Sequence, residues 1–331
     1  MFSDHEKTNS YERFRNGGQV KITAIGEILV DMTQTHVDES GIPHFAANPG
    51  GAPANVAVVV SRLGGEAGFI GCVGDDLYGK LLKDTLIRNG VPADGLQVTD
   101  KANTTLAIVM VDPSGERSFS FYRKPGADTL IDEKQAIRDA AGTGILHFGS
   151  VSLTDPACRN AVINTIRAGR DAGALISYDP NYRASLWENE ETALLLMRAV
   201  LPLCDIVKIS DEETVLLTGE KEPEAALKHL TDMGIRLAVV TLGSKGAMWR
   251  CGEMQGLVPG FSVKVADTNG AGDTFFGAFL SCIAAHGGLE GLTETELNDY
   301  VRFANKAASI TASRPGAIPA MPTLKEVEGN A

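Results

Sequence analysis

The sequence predicts an α/β fold with a mainly parallel central sheet and a small accessory β-sheet. Three features carry that expectation. Apolar, β-branched runs alternate with longer stretches of helical periodicity through most of the chain, the pattern of βαβ units that bury a parallel sheet on both faces. Hydrophobic residues make up 44% and charged residues 22% of the 331 positions, so a sizeable core can form. Two stretches, Asp31–Asn48 and Thr104–Arg123, break the rhythm with short apolar/polar alternation, and read as antiparallel hairpins projecting from the main body.

In chain order, Lys21–Gly26 reads as the first strand, leaving Asp31 at its end. The Asp31–Asn48 hairpin turns at Glu39-Ser40-Gly41. Asn48-Pro49-Gly50-Gly51-Ala52-Pro53-Ala54-Asn55 then runs into the apolar helix Val56–Leu63. Gly68–Val73 is a strand, Leu77–Asn89 a helix, and the second hairpin turns at Asp112-Pro113-Ser114-Gly115. Strands at Ile145–Gly149, Leu175–Tyr178, Ile206–Ile209 and Leu237–Leu242 alternate with helices at Asp155–Ala172 and Glu222–Met233. A last strand-like run, Phe261–Val265, feeds a glycine-rich turn and an apolar helix ending near Gly287-Gly288.

Charge and cysteine usage narrow the function. Lys+Arg 30 against Asp+Glu 42 gives a net charge of −12, which argues against a broad nucleic-acid surface. An anionic small molecule stays possible, because a pocket can be locally positive. Five cysteines lie far apart with no C-x-x-C pair, as expected of reduced thiols in the cytoplasm. The first 20 residues are polar and lack a secretion signal's apolar core, and no apolar run approaches the roughly 18 residues of a membrane span.

Asp267-Thr268-Asn269-Gly270-Ala271-Gly272-Asp273 is the segment best suited to chemistry. Its glycines let backbone approach a ligand closely, and the unsatisfied amides opening the helix suit phosphate oxygens. Asp273, in the first turn, stands where a carboxylate can take a proton from a hydroxyl attacking that phosphate. A capped helix whose Asp only complements the dipole fits the same letters. Neither G-x-G-x-x-G nor G-x-x-x-x-G-K-[ST] is satisfied. In the second segment, Gly50 and Gly51 bare the backbone before a buried helix. Asn55 there offers a donor and an acceptor to sugar hydroxyls, or simply caps the helix. A third cluster, Asp31, Asp179–Arg183 and Lys208–Glu213, lies in strand-end loops, which converge on one rim of an open α/β sheet. The six histidines show no metal-ligand spacing.

Together these segments resemble the ribokinase-like (PfkB) family of carbohydrate kinases over about Lys21–Thr323. Asn48–Gly65 with Gly68–Gly79 resembles the family's N-terminal signature, and Asp267–Phe279 its C-terminal one. Gly26–Asp31, Phe121–Arg123, Asp179–Arg183 and Lys208–Glu213 look most like the family's bacterial fructokinases. The resemblance implies a three-layer α/β/α domain at 21–323, whose two hairpins form a β lid, between a polar extension at 1–20 and a tail at 324–331. It implies Asp273 as catalytic base, Gly270, Ala271 and Gly272 as anion hole, and Asp31, Gly50, Gly51 and Asn55 as sugar-binding. Arg123 and Arg183 match basic residues near the sugar and the transferred phosphate. Thr241, Gly243, Ser244 and Gly246 match the nucleotide-phosphate loop, Asn305 the adenine side, and Glu213 the acid that holds magnesium through water. Ser210 replaces the asparagine of the family's N-x-x-E motif. Asp267, Asn269, Thr311, Arg314, Gly316 and Ala320 fall on the monovalent-cation loop, mostly through backbone carbonyls.

The implied activity is ATP-dependent phosphorylation of D-fructose to fructose 6-phosphate, with Mg²⁺ as cofactor and K⁺ as activator. A 2-keto-3-deoxygluconate kinase is the alternative, since Arg123 and Arg183 can also pair a carboxylate. A catalytically silent, kinase-shaped binding protein is the alternative of a different class. Its mark would be loss of Asp273 or the anion hole, and both are intact. No nucleic-acid or membrane partner is expected. The apolar residues Leu106, Ile108, Met110, Phe119 and Phe121 on a thin sheet point to a homodimer through the lid.

Overall fold

In a computed structural model, which describes residues 20–111 and 117–329, thirteen strands are divided between two sheets. In chain order they are β1 (Ile22–Ile25), β2 (Leu29–Val37), β3 (Pro43–Gly50), β4 (Ala67–Gly74), β5 (Leu96–Thr99), β6 (Leu106–Val111) and β7 (Arg117–Tyr122). They continue with β8 (Ile145–Gly149), β9 (Leu175–Asp179), β10 (Ile206–Ser210), β11 (Leu237–Thr241), β12 (Ala247–Cys251) and β13 (Met254–Val258). The large sheet has the order β13-β12-β11-β10-β9-β8-β1-β4-β5. It is parallel except for its last two pairs, β11/β12 and β12/β13.

Among the described residues ten α-helices accompany it: α1 (Ala52–Arg62), α2 (Leu77–Arg88), α3 (Glu133–Asp139), α4 (Pro156–Asp171), α5 (Glu190–Ala199), α6 (Thr214–Thr218), α7 (Pro223–Asp232), α8 (Ala271–His286), α9 (Glu294–Ala312) and α10 (Leu324–Gly329). One face of the sheet packs Val56 and Val59 of α1, Phe275, Phe276 and Phe279 of α8, and Tyr300 and Val301 of α9 into one apolar cluster. The other face packs Phe148 and Tyr178 with Ile166 of α4, Met197 of α5 and Leu227 of α7. Three layers follow from the sequence pattern, because strands apolar on both faces must be covered on both. Helix α8 is apolar all round, with Asp273–Ala284 buried without interruption, because α1 and α9 flank it. At Gly277 an added Cβ would meet Val59 at 2.9 Å, so glycine sets the α1–α8 approach. Among the described residues no helix is long and apolar enough to cross a membrane.

The small sheet has the order β3-β2-β6-β7 and is built, as expected, from the two hairpins β2/β3 and β6/β7. Its central pair, β2 with β6, is parallel, so the sheet is mixed rather than wholly antiparallel. Ala107 and Val109 are buried on one face, whereas Leu106 and Ile108 are partly exposed and Met110 exposed on the other. The polar N-terminal segment through residue 19, the Asp112–Gly115 turn, the side chain of Phe119 and the last two residues lie outside the described residues.

Four expectations change. Asp31 does not end the first strand: β1 stops at Ile25, and Asp31 lies within β2 of the small sheet. Phe261–Val265 is not a strand: the large sheet ends at β13, and Phe261, Val263 and Val265 line a cleft. The hairpin β12–β13, unmarked in the sequence reading, supplies that edge, and Trp249 anchors it by donating Nε1–H to Asn298 Oδ1 (3.0 Å). Residues set apart as a tail form α10 instead, with Val327 buried in the core.

Candidate active site

The carboxyl ends of the parallel strands and the start of α8 meet at one rim, as open α/β sheets require. Gly270 caps α8 in the left-handed conformation (φ 74°), where an added Cβ would lie 2.9 Å from Ala317 Cβ. The Ala271 amide closes a turn onto the Thr268 carbonyl (3.2 Å), and Thr274 N–H donates to the Gly270 carbonyl (2.8 Å). The Gly272 and Asp273 amides, lying between them in the first turn, have no helix carbonyl upstream. They are left free to meet an anion, whereas the Ala271 amide is spent on the turn.

Asp273 is almost fully buried at that helix start. Its Oδ2 accepts from Asn55 Nδ2 (2.7 Å) and its Oδ1 from Asn181 Nδ2 (3.2 Å). Burial pushes the carboxyl above its ordinary range; the Asn55 hydrogen bond opposes this, Asp179 adds to it, and Lys208 and Arg183 oppose it. Asn55 is therefore no helix cap: it lies inside α1, whose N-cap is Gly51, and points its amide at Asp273. Asn181 reaches the carboxylate from the loop after β9, with a left-handed backbone (φ 45°).

Asp31 stands beside Gly50, where an added Cβ would lie 2.6 Å from Asp31 Oδ2. Enough of it is covered that burial pushes its carboxyl up to about 6, against a hydrogen bond from Asn269 and the charge of Arg183. Arg183 is exposed and donates to the Tyr182 carbonyl (3.1 Å), yet its charge reaches both Asp31 and Asp273. Asp31, Gly50, Gly51, Asn55, Arg183 and the 270–273 turn are thus one neighbourhood.

Arg123 stands apart from that group. Its Nε–H donates to Asp128 Oδ2 (2.7 Å), Nη1–H to Thr154 Oγ1 (2.6 Å) and Nη2–H to the Val151 carbonyl (3.2 Å). The Asp128 carboxylate outweighs burial and keeps the guanidinium charged. Arg123 therefore ties the base of the small sheet to the body, and its charge is already matched.

Thr241, Gly243, Ser244, Gly246, Gly272 and Asn305 line a cleft of about 320 Å³ on the other side of the turn. Phe261, Val263, Phe275 and Ala308 give it apolar walls, the combination expected where a flat heterocycle and a phosphate chain bind together. Gly246 adopts φ 105°, and a Cβ there would lie 2.0 Å from the Val258 carbonyl oxygen. Asn305 Nδ2 is held by the Val258 (3.1 Å) and Pro259 (3.2 Å) carbonyls.

Ser210 ends β10 and Glu213 follows three residues later. Glu213 Oε2 accepts from Ser210 N (2.9 Å) and Oγ (3.2 Å), and Oε1 from the Tyr182 amide (2.8 Å). The carboxylate pins the Asn181–Arg183 loop to the end of β10. With those donors in place, Glu213 would hold a magnesium ion only through water. No group of three or more His, Cys, Asp or Glu suited to a metal occurs among the described residues. In the segment that the family resemblance matches to a monovalent-cation loop, Asp267 accepts from the Asn269 (3.0 Å) and Gly316 (3.2 Å) amides. Thr311 Oγ1 pairs with Thr274 Oγ1 (3.0 Å), and Arg314 Nη2–H donates to Glu326 Oε1 (2.6 Å) and Nη1–H to the Ala320 carbonyl (3.5 Å). The side chains are thus committed. Backbone carbonyls, which suit a weakly hydrated monovalent cation, are what this segment can offer.

Beneath the turn, Lys208 Nζ donates to Asp179 Oδ2 (2.6 Å), both buried, and an added Cβ on Gly272 would lie 3.3 Å from Nζ. Sequence reasoning places Lys208, Asp179 and Asn181 in the rim segments without a role for each; a lone Lys inside the apolar strand β10, with Asp179 ending the neighbouring strand β9, is the available signal.

A buried carboxylate, a helix start with free amides and an apolar-walled cleft beside one turn are the parts that a phosphotransferase acting on a hydroxyl needs. Residues 19–324 match the model of the pfkB family carbohydrate kinases, and the chain belongs to that family. A probable fructokinase-4 of Arabidopsis thaliana is 40% identical over 318 residues, covering 95% of this chain and 97% of the relative. The fructokinase of Xylella fastidiosa solved with bound ATP superposes with a TM-score of 0.85 at 35% identity, over 93% of this chain and 97% of that one. A double mutant of the Vibrio cholerae O395 fructokinase, solved with fructose, ADP and a potassium ion, gives 0.84 at 32% identity over 95% and 99%. The protein is an ATP-dependent carbohydrate kinase.

Proposed function

We propose that this kinase phosphorylates D-fructose at its 6-hydroxyl. The observation that carries the reading is the doubly held Asp273, fixed by Asn55 and Asn181 beside the Asp31–Gly50–Gly51 cluster and across the turn from the nucleotide cleft. The hydroxyl oxygen attacks the γ-phosphorus, the bond from that phosphorus to the β-bridging oxygen breaks, and ADP leaves. Asp273 takes the hydroxyl proton, for which each of its oxygens keeps a lone pair. The amides of Gly272 and Asp273 and the charge of Arg183 face the negative charge on the transferred group. Magnesium, when bound, neutralises charge on the nucleotide phosphates. A neutral sugar suits the site better than a sugar acid: Arg123 is already paired with Asp128. With ATP and magnesium, fructose should release ADP and yield fructose 6-phosphate stoichiometrically in an enzyme-coupled assay. ADP release that ignores added sugar, or none at all, would overturn the reading.

Three further properties belong to this reading. Potassium should raise kcat over sodium or a large organic cation, because a cation on the Asp267–Gly316 carbonyls would brace the Gly270–Gly272 turn. Equal rates in the three chloride salts would contradict this. The partly apolar outer face of the small sheet, with Leu106, Ile108, Met110 and the exposed Tyr122 opposite Leu106, pairs with a second copy, whereas Phe121 lies opposite Ala107 on the covered face. Sedimentation at high concentration should then show a dimer, and a strict monomer would contradict it. Five cysteines, none in a disulfide, suit the reducing cytoplasm.

A further inference from the structure

Only residues 26–28 separate β1 of the large sheet from β2 of the small one, and Glu27, at their centre, is 3% exposed. Its Oε1 accepts from the Ala52 amide, the first of α1 (3.2 Å). Gly51, the N-cap of that helix, has no side chain to offer, and its φ of 109° brings it so close that an added Cβ would lie 2.6 Å from the Glu27 carbonyl oxygen. Glu27 therefore supplies, from across the chain, the cap that α1 lacks, while its backbone seats Gly51. One turn further along α1, Asn55 holds Asp273.

Glu27 Oε2 is buried and has no hydrogen-bond partner. The charged groups that face the carboxyl are Arg123, just beyond β7, and Asp128, in the turn that follows it. Burial, aided by Asp128 and opposed by backbone hydrogen bonds and Arg123, pushes the carboxyl up to about 8, so it is mostly neutral at pH 7.

We propose that Glu27 is a positioning residue for the sugar: its carboxyl fixes the start of α1 against the junction of the two sheets, and thereby sets Gly50, Gly51 and Asn55 relative to Asp273. This holds on the reading above that those residues bind the sugar. A neutral carboxyl accepts the Ala52 amide much as a primary amide does, so glutamine should replace it. Alanine would leave that amide bare and open a void beside the first turn. Arg123, held by Asp128, Thr154 and Val151, would keep its partners in either case.

Steady-state kinetics and thermal denaturation of Glu27→Gln and Glu27→Ala test this, using the sugar that the wild-type enzyme turns over best. Glu27→Gln should keep most of the wild-type kcat/KM. Glu27→Ala should raise the sugar KM by about tenfold or more, the scale of one lost positioning hydrogen bond, with the ATP KM within about twofold of wild type. An unchanged sugar KM in Glu27→Ala, equal losses for sugar and ATP, or a Glu27→Gln enzyme as impaired as Glu27→Ala would each overturn the role. Should the alanine variant not fold, Glu27→Asp, which withdraws the acid by one methylene, is read against the same outcomes. Wild-type enzyme that prefers another sugar to fructose would count against the proposed substrate and leave this comparison intact.

Discussion

Asp273→Asn is expected to lower kcat by about 10²–10⁴-fold, the usual worth of a positioned general base. Asparagine keeps the size of the side chain but cannot take the hydroxyl proton. It also sets an NH₂ group against the NH₂ of either Asn55 or Asn181, which now donate to the carboxylate. That clash of donors should cost about 1 kcal/mol of stability. ATP binding should be nearly unchanged, because the Thr241–Gly246 turn and Asn305 line a cleft on the far side of the helix start. Isothermal titration with ATP and single-turnover kinetics together separate the outcomes. Full activity would remove the base, and a lost ATP affinity with a large stability loss would make Asp273 a structural residue. The same geometry gives a pH dependence. Burial raises the Asp273 carboxyl, so the base is lost to protonation as pH falls, and the acid limb of kcat should lie above the pKa of about 4 for an exposed aspartate.

Lys208→Met is expected to destabilise the fold by about 3–5 kcal/mol, the cost of leaving one member of a buried ion pair alone. Burial pulls the Lys208 ammonium down, but Asp179, Glu213 and Asp273 outweigh it and hold the charge. Remove it, and Asp179 is left buried with one carboxylate oxygen, Oδ1, already lacking a partner. Urea denaturation measures the loss. The double variant Lys208→Met with Asp179→Asn should recover part of it, since the uncompensated charge is then gone. A single variant as stable as wild type would mean that water or a rearranged side chain already serves Asp179.

The parallel sheet was readable because its strands are short, β-branched and separated by helices of clear periodicity. Asp76, Asp132 and Asp155 show the local chemistry: each begins a helix by accepting the amide two or three residues on. The hairpin β12–β13 was not readable, since Met-Trp-Arg-Cys and Met-Gln-Gly-Leu-Val lack clean alternation, and Asn298 of α9 decides where Trp249 sits. Phe261–Val265 is the opposite case: its alternation is strand-like, but Phe261, Val263 and Val265 line the cleft instead of pairing with a strand.

At the site, the helix start with Asp273 and the paired glycines before α1 were legible because glycine and aspartate have few structural reasons to cluster so. Contacts that join distant segments were not. Nothing local in Asn55 or Asn181 says that both donate to Asp273, and nothing in Glu27 says that it caps a helix 25 residues later in the sequence. Arg123 shows the limit of type and position: an arginine in the right loop turned out to be held by Asp128, Thr154 and Val151.

The substrate is the centre of this account, and a direct comparison of kcat/KM tests it. Purified enzyme with ATP, magnesium and potassium would be given D-fructose and 2-keto-3-deoxygluconate in parallel. With Arg123 already paired, and Arg183 the one remaining cation among the site residues named above, facing Asp31, Asp273 and the transferred phosphate, the account predicts a kcat/KM for fructose at least about a hundredfold higher, because a desolvated carboxylate beside Asp31 and Asp273 binds poorly. Equal values, or a preference for the sugar acid, would contradict the assignment and return Arg123 to the substrate.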